Sequence, residues 1–513
     1  MTTLPLMESA LLSTAAKSLV QIEFEPRPLI PERPLGEGEQ YRFHFDMTKC
    51  IGCKCCVVAC NEQNGNPAAI NWRRVGEVEG GHYPYTERYH LSMGCNHCLE
   101  PSCLIGCPVE AYTKDAATGV VLHSADTCIG CQYCTWNCSY GVPQYNEERG
   151  VVGKCDMCHE RLSDGMAPAC VAACPEGAIA IEIVNVAEWR RDYLSAEAPG
   201  LPSADDSIST TRITLPKNMV PDTDRVDLQR VQPEQAHSPL VFMLVLTQLS
   251  IGAFAAMWLL DLLKQGGGLT IGAMASLGLA GVSLGASTLH LGRPIYAWRA
   301  LKGLRRSWLS REVLTLSLFA GAASAFAGML MFDLPGRGAT GLCTVLAGLA
   351  GVTCSARIYM VRARPGWFSG YTLAEFFSTA LFLGPLFVQT LLAHMIGGAI
   401  PSWVRFASVA GASAQLIVQS LKFLWLSRSE VFELRASSLL LSGRLRNLFL
   451  TRLAVPVVVA GVLLSPVAVN GWTVTAAFAA ALAGEWLGRY LFFVSVVPKN
   501  IAAAFTSGER MTA

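Results

Sequence analysis

The chain has 513 residues, 51% of them apolar and only 15% charged, with a formal net charge of +1. So small a net charge excludes a protein that holds nucleic acid by electrostatics, and so apolar a mixture excludes an ordinary soluble protein. The excess is local, because residues 1–236 hold most of the acidic and polar stretches while the later half alternates long apolar runs with short basic loops.

At the start, Leu11 to Val20 is too short and too interrupted by Lys17 for a signal peptide, and no twin arginine precedes an apolar core. Phe24 to Pro34 contains four prolines, so residues 1–40 are expected to form an extended tail. Residues 41–194 then carry sixteen of the nineteen cysteines in four groups. These are Cys50, Cys53, Cys56 and Cys60; Cys95, Cys98, Cys103 and Cys107; Cys128, Cys131, Cys134 and Cys138; and Cys155, Cys158, Cys170 and Cys174. The first and third groups follow the C-x2-C-x2-C-x3-C spacing in which three thiolates hold one iron-sulfur cube and the last ligates its neighbour. Sixteen thiolates suit four [4Fe-4S] clusters. A disulfide framework belongs to small secreted domains, and structural zinc does not explain the recurring third and fourth cysteines.

The stretch Asp46-Met-Thr-Lys-Cys50-Ile-Gly-Cys53 returns as Asp126-Thr-Cys128-Ile-Gly-Cys131, which predicts a duplicated ferredoxin-like α+β domain. Cys55 is expected to be a spare packed thiol, and Cys343 and Cys354 to be inert small residues in an apolar helix. Residues 195–238, rich in Pro, Asp, Ser and Thr, are expected to be a linker.

From residue 239 onward, eight apolar runs approach the roughly 20 residues needed to cross a bilayer as a helix. They lie near Pro239 to Leu263, Leu269 to Leu289, Val313 to Phe332, Thr340 to Met360, Thr372 to Ile396, Ser402 to Leu426, Leu453 to Asn470 and Thr473 to Val497. An all-α membrane anchor over 239–513 follows, with its C-terminus on the side of the cluster domain. Loops on that side carry most of the basic residues, among them Arg293, Arg299, Arg362, Arg452, Lys499 and Arg510, against Lys264, Arg337 and Arg405 on the other. By the positive-inside tendency the cluster domain is expected in the cytoplasm, at the inner membrane. Ionisable residues in membrane helices are costly and mark cavities or partners. Glu485 with Arg489 one turn later, and His290 and Glu312 on the cluster side, are the candidates to exchange protons with a quinone, with Arg293 beside them. Glu375, Gln415, Gln419 and Lys422 are weaker candidates for the same cavity.

Residues 41–185 closely resemble the iron-sulfur subunit of the DMSO reductase family of molybdopterin oxidoreductases. The resemblance rests on the four ordered groups, Trp72-Arg73-Arg74-Val75 with Gly80-Gly81, Cys95-Asn-His-Cys98-Leu-Glu-Pro-Ser-Cys103, and Pro143-Gln-Tyr-Asn146 leading to Lys154-Cys-Asp-Met-Cys158. It implies that Cys50, Cys53, Cys56 and Cys174 share one cluster, and Cys155, Cys158, Cys170 and Cys60 a second. Cys95, Cys98, Cys103 and Cys138 would hold a third, and Cys128, Cys131, Cys134 and Cys107 a fourth. Group three is complete, with Trp136 an insert and not a replacement, so no [3Fe-4S] centre is expected. The membrane half resembles the same family's haem-free eight-helix anchor through His290-Leu-Gly-Arg-Pro294 and Ser307-Trp-Leu-Ser-Arg-Glu312. That resemblance assigns His290 and Glu312 to a quinone site.

Neither half contains a molybdopterin site or a P-loop, so catalysis is expected in a separate molybdenum subunit, with this chain passing electrons between it and the quinone pool. A cytoplasmic cluster domain resembles the sulfite dehydrogenase (Soe type) layout, in which sulfite oxidation reduces quinone. The alternatives are quinol oxidation feeding a DMSO or similar respiratory reductase, and a hydrogenase-linked or ion-translocating electron module.

Overall fold

The computed structural model describes residues 29–220, 222–225, 231–265, 267–395, 401–465 and 470–499. Most of the expected N-terminal tail, and Arg510, lie outside the described residues.

The cluster domain is framed by β1 (Glu39–Asp46), which pairs antiparallel with a late strand, β8 (Ile179–Asn185), in the register Phe43 opposite Ile181. Alternation along β1 turns Phe43 and Phe45 inward, where they pack with Ile179, Ile181 and several of the cysteines. Between these strands lie the hairpin β2 (Arg74–His82) and β3 (Tyr85–Met93), then two short hairpins, β4 (Tyr112–Lys114) with β5 (Val121–His123) and β6 (Gln144–Asn146) with β7 (Val151–Gly153). Short helices alternate with them: α1 (Cys55–Asn64), α2 (Ser102–Gly106), α3 (Tyr133–Asn137), α4 (His159–Ser163), α5 (Ala169–Ala172) and α6 (Val186–Asp192). Four of these carry cysteines on their buried faces, namely Cys56 and Cys60 on α1, Cys103 on α2, Cys134 on α3 and Cys170 on α5.

The expected linker is corrected in its first part. Strand β9 (Arg212–Thr214) extends the first sheet parallel to β1, and β10 (Asp224–Arg225) pairs with β2. Buried hydroxyls fix the segment to the domain: Thr210 and Thr211 donate to the Asn96 backbone and side-chain oxygens at 2.6 and 2.7 Å. Composition points to a loop here because these strands are too short to show a period-two pattern.

The anchor comprises α7 (Ser238–Leu262), α8 (Leu269–Thr288), α9 (Trp308–Met331), α10 (Arg337–Tyr359), α11 (Gly370–Met395), α12 (Ser402–Arg428), α13 (Phe432–Ser442), α14 (Arg446–Leu464) and α15 (Gly471–Val494). Among the described residues, eight of these nine helices are long and apolar enough to cross a membrane, and α13 is a short helix between two of them. The most enclosed is α7, and it meets α11 at a glycine pair, where a methyl group on Gly252 or Gly384 would overlap the facing backbone. The seventh span starts at Arg446 and not near Leu453. Arg452, expected in a basic loop, is therefore inside the bundle, 2% exposed and paired with Glu485 at 2.7 Å.

Candidate functional site

The sequence winds each cysteine loop through left-handed backbone positions, including Lys54 at φ 62°, Gln132 at φ 59° and Met157 at φ 62°. Such turns aim successive amides inward and make an anion-binding concavity. Thus the N–H groups of Ala111, Gly130, Met157 and Ala178 point at the sulfurs of Cys107, Cys128, Cys155 and Cys174, at 3.3, 3.4, 3.4 and 3.2 Å.

The fold gathers the thiols into four sets. Cys50 is surrounded electrostatically by Cys56, Cys174 and Cys53, and these four line one hollow that opens to solvent. Cys60 adjoins Cys170 and Cys158, and Cys155 adjoins Cys60 and Cys170. Cys103 faces Cys138, Cys95 and Cys98, while Cys134 faces Cys131, Cys107 and Cys128. Burial pushes the thiol pKa up to about 12 at Cys60, Cys98 and Cys131. Such thiols ionise only with a positive centre beside them, which suits iron. No three His, Cys, Asp or Glu side chains converge on a single-ion site among the described residues, as expected where four sulfurs are spread around a cube. The donor set and its amides fit iron-sulfur clusters. Cys55, expected to be a packed thiol, is instead exposed: it sits beside Cys53 and Cys174 but does not line the hollow.

The sets form a line. Cys56 adjoins Cys170 across the first and second, Cys155 adjoins Cys95 across the second and third, and Tyr112 lies between Cys134 and Cys103 across the third and fourth. At one end Ile51 and Cys53 are exposed. At the other, the fourth set meets the anchor. The loop from Leu289 to Ser307 seals that junction: Gly292 N–H donates to the Gly130 carbonyl at 3.3 Å, Gly303 N–H to Pro108 at 2.8 Å, and the Ser307 hydroxyl to Gly106 at 2.7 Å. Arg293 donates to the Ala125 carbonyl at 2.9 Å, so its guanidinium holds the two halves together.

His290 hydrogen-bonds the Cys131 backbone, and its Nε2 is buried without a partner. Its ring stacks on Trp136 with centroids 6.1 Å apart and meets His237 edge-on at 5.4 Å. Trp136, two residues after Cys134, reaches out of the cluster domain into the anchor's apolar core and also touches Tyr359 at 5.6 Å and Phe493 at 6.2 Å. Burial lowers the pKa of both histidines, that of His237 to about 3 with His290 and Arg364 contributing, so both imidazoles are neutral. Glu312, 5% exposed, hydrogen-bonds Ser355 and neighbours Tyr359 and Tyr133. His290 and Glu312 thus border one aromatic region from two sides.

Glu485 joins a polar network of its own, and Arg489 links that network to the aromatic region, since it also neighbours Tyr359. The Glu485 carboxylate accepts from Arg452 at 2.7 Å, Thr379 at 2.8 Å and Gln415 at 3.1 Å, all among α11, α12, α14 and α15. Arg489 donates instead to Gln248 at 3.0 Å and Thr379 at 3.3 Å and lies 4.0 Å over the Phe376 ring. The ion-pair partner of Glu485 is thus Arg452 from another helix and not Arg489 one turn along. Lys422 pairs with Glu375 at 2.9 Å.

Residues 234–494 match the family model described as DMSO reductase anchor subunit (DmsC), and residues 86–183 match that of a 4Fe-4S dicluster domain. The chain belongs to the DMSO reductase anchor subunit family. It joins that anchor to an iron-sulfur domain in one polypeptide and is an electron-transfer subunit of a DMSO reductase family complex. It is 38% identical over 173 residues to one of the chains of the anaerobic dimethyl sulfoxide reductase of Escherichia coli, covering 32% of this chain and 83% of that protein. A sulfite dehydrogenase subunit of Allochromatium vinosum is 37% identical over 155 residues, 26% of this chain and 65% of the relative. The iron-sulfur subunit of the E. coli nitrate-inducible formate dehydrogenase is 38% identical over 172 residues, 30% and 58% of the two chains. In this chain, sequence reasoning missed His237, Tyr359 and the placement of Trp136 against the anchor. The available signals were a histidine directly before an apolar run and an indole set between two ligand-spaced cysteines.

Proposed function

We propose that the chain carries electrons through four [4Fe-4S] clusters, one in each thiol set, between a separate molybdenum-containing catalytic subunit docked near Ile51 and a quinone bound beside His290. The observation that carries this reading is the continuous line of thiol sets, exposed at one end and ending at the other against His290, whose Nε2 has no protein partner. Clusters would supply one-electron steps to a two-electron, two-proton quinone reaction. The chain's own residues bind and orient the ring against the packed cluster of Trp136, His237 and His290, and hold or accept protons at the imidazole nitrogens and at Glu312. The cluster domain is taken to be cytoplasmic, and the complex to oxidise sulfite and reduce quinone.

A second reading has quinol oxidised and a sulfoxide or similar compound reduced. It is favoured by the fuller coverage of the dimethyl sulfoxide reductase relative. It gains too from the use of several basic loop residues as ties to the cluster domain, which gives their charge a purpose other than topology: Arg299 donates to the Asp126 carbonyl at 3.0 Å and Arg362 to Asp205 at 3.4 Å. Membranes with and without the chain decide between the two. Sulfite-dependent quinone reduction that disappears with the chain is expected; its absence, together with quinol-driven sulfoxide reduction, selects the second reading. His290→Ala should abolish either activity and leave the clusters reducible by dithionite.

A further inference from the structure

Two cations are buried inside the cluster domain without a carboxylate to pair with. Arg73 is 3% exposed and Lys154 4%. The Arg73 guanidinium donates to the Ser92 carbonyl and hydroxyl at 3.4 and 3.3 Å and lies 4.6 Å over the Phe43 ring, while its Nη2 has no partner. The Lys154 ammonium donates to the carbonyls of Val121 and Cys155 and approaches the Cys95 sulfur at 3.8 Å. Neither lies within ion-pair distance of Asp or Glu among the described residues. Burying an unpaired charge costs several kcal/mol, so each needs a counter-charge, and what surrounds each is sulfur. Arg73 faces Cys170, Cys56, Cys155 and Cys60, which belong to the first and second sets. Lys154 faces Cys95, Cys155 and Cys103, of the second and third, with Asp156 a smaller contributor. At Cys107, Cys131 and Cys134 of the fourth set, burial, neighbouring thiols and backbone amides dominate, with no lysine or arginine among the main influences.

We propose that Arg73 and Lys154 are charge bridges, positioning residues that set the reduction potentials of the clusters on either side of them. The inference rests on the reading that a cluster fills each thiol set. A cluster held by four thiolates gains one negative charge when it takes one electron from its neighbour, and no bond to the chain forms or breaks. A fixed cation in the low-dielectric gap favours that reduced form and raises the potential. Because each cation is shared, it moves two potentials together and keeps neighbouring steps level.

The test is an EPR-monitored redox titration of the intact chain in its native membranes, with iron content measured in parallel. In Lys154→Met, two of the four centres should shift so that their reduced-to-oxidised ratio at fixed potential falls tenfold or more. That is a lowering of about 59 mV for a one-electron couple. The fourth-set centre should not move, and Lys154→Arg should restore the ratio. Arg73→Met should shift the other overlapping pair. Unmoved midpoints in Lys154→Met with its full iron content overturn the proposal. If Lys154→Met fails to assemble clusters, Lys154→Arg decides: assembly with arginine supports the need for charge, and failure with both shows a packing residue and overturns it. Wild-type iron short of four clusters is a separate failure, that of the four-cluster reading.

Discussion

Arg452 shows at the scale of one residue how a charge can be misread. Basic residues beside an apolar run usually mark a loop, because an exposed guanidinium in lipid is costly. Here the cost is offset by Glu485, 33 positions along the chain on another helix, with both side chains 2% exposed. No local pattern announces such a partner, whereas cysteine spacing is a local pattern and marks the four groups without any knowledge of the fold. Breaking a buried pair from one side leaves an uncompensated charge, at a cost of about 3–5 kcal/mol. Arg452→Met alone, and Glu485→Leu alone, are therefore expected to lower the thermal inactivation temperature of the detergent-solubilised protein markedly. The double variant Arg452→Met with Glu485→Leu should recover most of that loss. Equal additivity of the two single effects would remove the pair as a unit. Arg489→Met should show weaker coupling to Glu485, since Arg489 bonds to Gln248 and Thr379.

Among the elements, the membrane helices were legible because a 20-residue apolar run is long enough to stand out, and the short pieces of the cluster domain were not. A five-residue helix such as α3 has no periodicity to read. Its function depends on what it carries: Cys134 toward the fourth thiol set and Trp136, 5% exposed, into the anchor. The same holds for the segment after residue 195, whose Ser207 hydroxyl donates to the Cys98 sulfur at 3.1 Å across 109 positions of sequence. Since Trp136 forms one wall of the region bordered by His290 and His237, its removal should act on quinone and not on clusters. Trp136→Ala is expected to slow quinol-driven cluster reduction, followed by stopped-flow absorbance, by tenfold or more, with dithionite reduction unchanged. Trp136→Phe should retain much of the rate because an aromatic face still packs on His290. Wild-type kinetics in the alanine variant would take Trp136 out of the quinone region.

For the whole molecule, fusion of the two halves is meaningful only if the junction between them is tight enough for electrons to cross. The tightest point is glycine against glycine. Gly130 and Gly150 from the cluster domain, both at positive φ, meet Gly292 of the anchor loop, and a methyl group on Gly292 would overlap the Gly150 carbonyl. The His290-Leu-Gly-Arg-Pro294 motif, proposed to bind quinone, thus also docks the two halves: Gly292 permits the approach, Arg293 ties down Ala125, and the docked loop delivers His290 to Cys131. Gly281, by contrast, has open space where a side chain would go. Gly292→Val should therefore lift the loop, lengthen the step from the fourth set to quinone and cut quinone-coupled turnover by at least tenfold. Iron content and dithionite reduction should stay normal, and Gly281→Ala should behave as wild type. If Gly292→Val turns over quinone at the wild-type rate, the junction tolerates separation and the electron must leave the cluster domain by another face. A loss of iron in that variant would mean instead that docking onto the anchor completes the fourth set itself, so that the cluster domain could not mature without its membrane half.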